Sequence, residues 1–182
     1  MDQLLDSNLD IETPQYQGYG SFGARFAAAL IDGIILLIPG YIVGKIFGYS
    51  VMDAIAAARS GEQLVFGAGY YMTVLVQMGI GWAYFAYQES SEKQATIGKK
   101  ALNLVVTDMN GDRLSFQQAS IRFAAKQLYT VLQLLGVISG ITLLSSLGGL
   151  VAVVGYCMQP FTPKKQALHD MIANTLVYKS VK

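Results

Sequence analysis

The stretch ARFAAALIDGIILLIPGYIVGKIF, residues 24–47, decides the fold class of this protein. It is almost wholly apolar, and its charged residues are Arg25, Asp32 and Lys45. Its length exceeds the roughly 20 residues that an apolar helix needs to cross a bilayer. Pro39 lies within it, and because proline removes a backbone donor, we expect the helix to bend there. The stretch predicts a first membrane span.

The composition of the whole chain also indicates a membrane protein. Of the 182 residues, 53% are hydrophobic and 14% are charged, and the mean hydropathy is +0.39. Soluble domains carry about 25% charged residues, which their surfaces need for solubility. The 13 basic and 12 acidic residues give no basic excess of the kind that nucleic-acid binders show. We therefore expect the lipid bilayer as a partner and no nucleic acid.

Two further apolar regions follow the first. Residues 67–88 have aromatic side chains near both ends, which is typical of the two interfaces of a membrane. Residues 121–159 would form one helix about 60 Å long, whereas the bilayer core is about 30 Å thick. Either one half of this region lies in the interface or the region is two spans around a turn. Ser139-Gly140 is the favoured turn, and residues 145–149 are the second choice.

The basic residues favour two spans in this last region. Lys and Arg concentrate in cytoplasmic loops, and basic residues lie on both flanks of the region, so both flanks belong on the same side. We predict an all-α membrane protein of the cell membrane: a four-helix transmembrane bundle of two hairpins, with both termini cytoplasmic. Lys45 and Arg59 are then the only basic residues outside. The predicted spans are residues 24–47, 67–88, 121–138 and 141–159.

The regions outside the spans are polar. Residues 1–20 contain four acidic residues and no basic residue, and they predict a flexible cytoplasmic tail before a transmembrane domain of residues 21–178. Residues 179–182 form a second tail. Residues 89–117 form the predicted cytoplasmic loop between the second and third spans.

The loop has the pattern of a small β-hairpin. Apolar and polar residues alternate over residues 102–106, which predicts a strand. Asn110-Gly111 then supplies the positive φ angles of a tight turn. Residues 113–116 are predicted to return as the partner strand.

Asp32 is the residue of the first span that most needs an explanation. A carboxylate inside an apolar helix is costly, so it must face the bundle, pair with a cation or be protonated. It lies two helical turns after Arg25 and close to the same face. Two interpretations stay open: a proton or cation site in a transport path, and an internal ion pair that fixes helix packing.

No catalytic residue, metal site or cofactor is predicted. The chain has one cysteine and one histidine, so a metal site would be built mainly from carboxylates. His169 is next to Asp170, but no activated nucleophile accompanies them. We therefore do not expect an enzyme.

A short motif occurs twice. The residues RFAA open the first span at positions 25–28 and recur at positions 122–125. Two hairpins that enter the membrane from the same side would be parallel repeats, as in some transporters. Chance recurrence in an apolar sequence is the alternative.

Three stretches together resemble the RDD family of bacterial multi-pass membrane proteins, which is named for an arginine and two aspartates. RFAAALID at residues 25–32 resembles the family's first-helix signature, and LHD at residues 168–170 is similar to its C-terminal motif. QATIGKK at residues 94–100 resembles its cytoplasmic loop motif. The loop motif residues are Gln94, Ala95, Thr96, Gly98 and Lys99.

The resemblance implies that Arg25, Asp32 and Asp170 are the name-giving residues, with His169 beside the last. It implies that His169 and Asp170 lie at the cytoplasmic face, where Asp170 pairs with Arg25, so that Arg25 links a buried acid to a surface acid. Residues 175–178 would then add a third strand to the hairpin. Transport, including cation–proton exchange, has been suggested for this family.

Two functional hypotheses follow. In the first, the protein is a small transporter that moves a cation or proton, with Asp32 as the buried site and Arg25 tuning its pKa. Four short helices enclose little space, so such a pathway would favour a homo-oligomer. In the alternative, the protein is a non-catalytic membrane scaffold or accessory subunit. It would act on a membrane or cytoplasmic protein through its loop and tails, since the loop is longer than a connection between two helices requires.

Overall fold

The computed structural model describes residues 16–49, 55–56, 59–60 and 67–181. The chain is mostly helical there and contains one small sheet of three strands. The helices are α1 (Phe22–Ile46), α2 (Ala68–Glu89), α3 (Ile97–Ala101), α4 (Phe116–Lys126), α5 (Leu128–Ser139), α6 (Thr142–Cys157) and α7 (Leu168–Ile172), with a 3₁₀ turn at Gln159–Phe161. The strands are β1 (Tyr16–Tyr19), β2 (Leu104–Asp108) and β3 (Thr175–Ser180).

Helix α1 has the properties of a membrane-crossing helix. It begins after Ser21, whose side chain accepts a hydrogen bond from the Ala24 backbone N–H, and it continues through Pro39. Among the described residues it alone combines sufficient length with a mean hydropathy of 2.2 over 18 residues. Only 17% of those residues are buried, so α1 differs from the core helix of a soluble protein. Its apolar side chains are free to face lipid.

Helix α2 packs antiparallel to α1. Contacts near the end of α1 involve the start of α2, and contacts near the start of α1 involve the end of α2. Gln77 donates a hydrogen bond to the carbonyl of Gly40 at 3.2 Å. A Cβ atom at Gly69 would lie 2.1 Å from the carbonyl oxygen of Phe47, so this close approach requires glycine. These two helices form the first predicted hairpin.

Helices α5 and α6 form the second predicted hairpin. Gly140 ends α5 with a φ of +70°, so the chain turns at Ser139-Gly140 as predicted. A Cβ atom at Gly136 would lie 2.2 Å from the Ser145 hydroxyl oxygen, which shows how closely the two helices approach. Residues 128–157 therefore form two antiparallel helices joined by a tight turn.

The structure does not confirm a bundle of four membrane-spanning helices. Helices α5 and α6 pack mainly on each other and join the rest of the chain through α4 and α7. They contain 12 and 16 residues, about 18 and 24 Å at 1.5 Å per residue, which is less than a bilayer core of about 30 Å. The predicted third span also differs, because it comprises the amphipathic α4 and the apolar α5, which meet at Gln127.

The sheet has the strand order β1-β3-β2 and is antiparallel throughout. Strand β2 lies where the alternating pattern predicts it, and β3 confirms the third strand that the family resemblance implied. The predicted return strand at residues 113–116 is wrong: an isolated bridge joins Thr107 to Arg113, and β3 takes the place beside β2. The chain turns away because the side chains of Ser115 and Gln118 form a capping box that starts α4.

The ends of the chain take part in the sheet. Residues 16–19, which we assigned to a flexible tail, form β1, and the rings of Tyr16 and Tyr19 stack on Tyr178 with centroid distances of 4.4 and 5.2 Å. The predicted C-terminal tail begins inside β3, which extends to Ser180. The rest of the N-terminal tail prediction falls on residues 1–15, outside the described residues.

We call the sheet together with α3 and α7 the polar cap. It covers the start of α1 and the end of α2. Its core is formed by apolar side chains from β2, β3 and the segment before α4, which pack on small residues of α1, α2 and α4. These core residues are Ala28, Ala86, Leu104, Val106, Leu114, Ala119 and Val177.

Candidate functional site

Asp32 lies beneath the polar cap and is hydrogen-bonded by three protein donors. Its side chain is on α1 and is 1% exposed. Oδ1 accepts hydrogen bonds from the Tyr84 hydroxyl and from the Gly98 backbone N–H, both at 2.8 Å. Oδ2 accepts one from the Thr96 hydroxyl at 2.6 Å. The carboxylate therefore holds the start of α3 against α1 and α2.

The predicted loop motif forms the other side of this contact. Thr96 is the N-cap of α3, and its hydroxyl oxygen accepts from the Lys99 N–H at 3.3 Å while its O–H donates to Asp32. A Cβ atom at Gly98 would lie 2.2 Å from the Ala28 carbonyl oxygen and 2.9 Å from the Asp32 carboxyl carbon. Position 98 therefore requires glycine, because any side chain would separate α3 from α1.

The remaining motif residues support the loop and α3. Ala95 is buried, and Gln94 donates to the carbonyl of Val106 at 3.2 Å. Lys99 is also buried and points toward the end of α2. The motif thus connects Asp32, strand β2 and a second cluster of charges.

Asp170 is the centre of that second cluster. It lies on α7, is fully buried, and binds an arginine with each oxygen: Arg25 with Oδ2 and Arg122 with Oδ1. The Arg122 Nε lies 3.1 Å from Oδ1, and the Ala167 N–H donates to Oδ2 at 3.0 Å. The two arginines are the first residues of the two RFAA motifs, so the arginines of both motifs bind the same carboxylate.

Glu89 provides the second negative charge. It is the last residue of α2 and is 1% exposed. Its Oε2 lies 2.6 Å from Nη1 of Arg122, and its Oε1 pairs with Lys99 and lies 3.5 Å from the Lys126 ammonium. Arg122 therefore bridges the acids of α2 and α7.

Six residues form a cluster that we call the charge network: Arg25, Glu89, Lys99, Arg122, Lys126 and Asp170. It joins the ends of α1, α2, α4 and α7 to α3, and it contains four basic groups but only two acids. The Lys126 ammonium also lies 4.5 Å from the centre of the Phe85 ring, a cation–π contact that helps to balance its charge. Within the described residues no buried side-chain nitrogen or oxygen lacks a hydrogen-bond partner.

The structure corrects the predicted partner of Asp32. Arg25 does not pair with Asp32: it pairs with Asp170 and donates to the Lys165 carbonyl at 3.0 Å. The predicted pairing of Arg25 with Asp170 is confirmed, but Asp170 is buried and not a surface acid. The reason is that the polar cap folds over α1, so Asp170 reaches the arginine while neutral donors reach Asp32.

Burial and neighbouring charges set the protonation of three cap residues. Burial alone would raise the pKa of Asp170, but the charges of Arg122 and Arg25 outweigh it and hold that pKa well below its ordinary value. Burial lowers the pKa of His169 to about 4, against the attraction of Asp170, whose Oδ1 lies 3.2 Å from the imidazole Nε2. Burial also lowers the pKa of Lys99, opposed by Glu89. At neutral pH the imidazole is therefore uncharged.

The buried imidazole predicts loss of stability in acid. Between pH 6.5 and about 4 the unfolded state binds a proton at His169 that the folded state does not, so the free energy of unfolding falls as the pH falls. The two pKa values correspond to a loss of about 3 kcal/mol across this window. Below it, Asp170 adds a further loss, because the stability from a depressed carboxyl pKa disappears as the pH falls through that pKa. Thermal unfolding in detergent from pH 7 to pH 4 measures this effect. His169→Gln should flatten the profile above pH 4, and an unchanged slope in that variant would contradict the prediction.

Sequence reasoning missed four residues of these two sites. The predicted topology places Arg122 and Lys126 on the cytoplasmic side without a partner, Glu89 at the start of the loop and Tyr84 among the aromatic residues at one end of the second span. The repeated RFAA motif was a signal for Arg122, since it placed a second arginine in a position equivalent to Arg25. Nothing in the local sequence distinguishes Glu89 from a solvated loop acid.

Comparison with known proteins places this chain in a family. The model of the RDD family matches residues 19–174, which include Asp32 and the whole charge network. The chain is also similar to the uncharacterized protein YxaI of Bacillus subtilis (strain 168), with 33% identity over 166 residues. The alignment covers 87% of this chain and 96% of YxaI. No solved structure is significantly similar to the present chain.

Proposed function

The chain belongs to the RDD family of membrane proteins, and we propose that it acts as a non-catalytic accessory protein of the membrane. In this role the helices anchor the polar cap, and the cap offers a fixed surface to a membrane or cytoplasmic protein. The contacts of Asp32 favour this role over transport.

The observation that carries the proposal is the set of donors around Asp32. Two hydroxyls and one backbone N–H occupy its two oxygens, and all three come from the chain itself. A transported cation would have to displace these donors, and displacing them would also release α3 from α1. Asp32 is therefore better suited to fixing the cap in place than to binding a moving ion.

We propose that the cap faces the cytoplasm and that four crossings place both termini there. The basic residues support this orientation: the charge network lies at the cap end of α1, whereas Lys45 lies at the other end. The orientation is tested by thiol labelling of intact cells in a Cys157→Ser background. A membrane-impermeant reagent should label Ser139→Cys and not Lys164→Cys. Protection of both would rule out this topology.

Transport of a cation or proton is the second candidate. A specific observation favours it: Asp32 is a buried carboxylate in the helix with the strongest membrane character, and it contacts the hydroxyls of Tyr84 and Thr96. Buried acids in membrane helices often mark proton or ion paths. The pathway would need a second copy of the chain to enclose it.

Flux measurements distinguish the two candidates. Purified protein in liposomes, tested with Na⁺, K⁺ and H⁺ gradients, should give no flux above that of protein-free liposomes. Asp32→Asn should remain inserted but unfold at a lower temperature. We expect the free energy of unfolding to fall by about 1.5–3 kcal/mol. The asparagine amide replaces one charged carboxylate oxygen with an N–H donor, and this donor would face the hydroxyl of Thr96 or the N–H of Gly98. Wild-type flux that disappears in a folded Asp32→Asn variant would establish transport and overturn the accessory role.

A positive test of the accessory role is photo-crosslinking in cells. A photoreactive amino acid at the exposed positions Asp112 or Lys164, in the segments that flank β2 and α7 of the cap, should give one discrete adduct with another protein. The same residue at Lys45, at the far end of α1, is the matched control and should not give that adduct. Absence of any adduct from the cap positions would contradict the proposal.

A further inference from the structure

A cleft of about 760 Å³ opens beside the end of α2, outside the charge network. One wall is the end of α2 and the loop that follows it, and the other is formed by α3 and the segment that leads into α4. Three basic residues line the cleft: Lys93, Lys100 and Arg113. Ser91, in the loop after α2, adds a hydroxyl to the wall.

Among the described residues, no acid forms an ion pair with the three bases of the cleft. In this they differ from the bases of the charge network. Glu92 also lines the cleft, but among the described residues no carboxylate oxygen lies within 4.0 Å of the side-chain nitrogens of the three bases. The ammonium groups of Lys93 and Lys100 lie close enough that Lys93 lowers the pKa of Lys100. Two adjacent ammonium groups repel each other, and an anion between them would relieve that repulsion.

The surroundings of the cleft indicate where such an anion comes from. The side chains of Tyr87, Ile97 and Phe116 line the same cleft and are exposed. Phe116 contacts Trp82, the only tryptophan of the chain, with a centroid distance of 5.6 Å. Exposed aromatic residues at the end of an apolar helix are typical of the headgroup region of a membrane. A soluble anion would need the basic residues but not this apolar rim.

We infer that the cleft binds the phosphate of an anionic phospholipid, with Lys93, Lys100 and Arg113 holding the headgroup and the apolar rim contacting the acyl chains. Lysine and arginine bind phosphate through charge-assisted hydrogen bonds. Basic pockets beside membrane helices on the cytoplasmic side are suited to such headgroups. The inference holds whether the protein is an accessory subunit or a transporter, because it depends only on α2 reaching the membrane interface.

The single tryptophan gives a direct test. The full chain is reconstituted in phosphatidylcholine vesicles that contain a small fraction of brominated phosphatidylglycerol or, in parallel, brominated phosphatidylcholine. Bromine quenches the fluorescence of Trp82 only at close range, so a bound anionic lipid should quench it more strongly than the zwitterionic lipid at equal fraction. Lys100→Gln/Arg113→Gln should remove this preference, with about a fivefold weaker apparent affinity for each base removed.

A control variant distinguishes lipid binding in the cleft from a general attraction of the protein's basic surface for anionic lipid. Lys164→Gln/Lys179→Gln removes two exposed bases elsewhere on the protein, and its lipid preference should match that of the wild type. Equal quenching by both lipids in the wild type, or a preference that persists in Lys100→Gln/Arg113→Gln, would overturn the inference. Millimolar inorganic phosphate is the last arm: if it abolishes the preference, the cleft is a site for free phosphate and the lipid assignment is wrong. Unchanged thermal unfolding of both double variants ensures that the comparison concerns folded protein.

Discussion

Asp170→Asn is expected to lower the free energy of unfolding by about 3–5 kcal/mol, because removing one partner of a buried ion pair leaves an uncompensated buried charge. In this protein the effect falls on two arginines at once. Arg25 would lose its only acidic partner among the described residues, and Arg122 would keep only Glu89. The amide of asparagine would also point N–H groups toward one of the guanidinium groups.

Thermal or denaturant unfolding in detergent measures this loss, and Asp112→Asn is the matched control. Asp112 is an exposed aspartate of the loop, and its replacement should change stability by less than about 0.5 kcal/mol. The double variant Arg25→Met/Asp170→Asn should be more stable than Asp170→Asn alone, because it removes the arginine that Asp170→Asn leaves without an acidic partner. If Asp170→Asn behaves like the control, the carboxylate does not hold the ends of α1 and α4 together.

The parts of the fold that could be predicted are those with local signals. The apolar stretch of α1, the aromatic ends of α2 and the glycine that ends α5 each depend on a few neighbouring residues. The alternation of apolar and polar residues likewise indicates strand β2. The pairing of Arg25 with Asp170 came from the family resemblance, since no local pattern joins residues 145 positions apart.

The parts that could not be predicted depend on distant partners. An alternating strand such as β2 does not reveal its neighbour, so the nearest segment, residues 113–116, was chosen in place of β3. Likewise, the sequence offers Arg25, on the same helix, as one partner for Asp32 and does not identify partners from elsewhere in the chain. The true donors to Asp32 come from α2, from the N-cap of α3 and from α3 itself, and a contact of this kind depends on how the cap closes over α1.

The two RFAA motifs have a common structural role. Each supplies an arginine, Arg25 near the start of α1 and Arg122 in the second half of α4, and both arginines bind the same carboxylate. Asp170 thereby couples α1, in the first hairpin, to α4, which leads into the second. Since α5 and α6 pack mainly on each other, this contact at the cap is a main connection between the two halves of the protein.

Glu89→Gln is expected to have an effect of similar size, about 3–5 kcal/mol, for the same reason. Glu89 is the shared partner of Lys99, Arg122 and Lys126, so its loss leaves four basic groups facing the single charge of Asp170. Because the end of α2 is then released from α3 and α4, we also expect faster proteolysis of the loop that follows α2. Unfolding in detergent and limited proteolysis measure the two effects.

The matched control is Glu92→Gln, three residues further along the chain. Glu92 is exposed and forms no ion pair within 4.0 Å among the described residues, so its replacement should leave both readouts unchanged. Adding Lys126→Met to Glu89→Gln should restore part of the stability, since Lys126 is the basic group held most loosely, at 3.5 Å. A Glu89→Gln variant as stable as Glu92→Gln would mean that the excess of buried positive charge is balanced by groups other than Glu89. The four bases would then not depend on the end of α2.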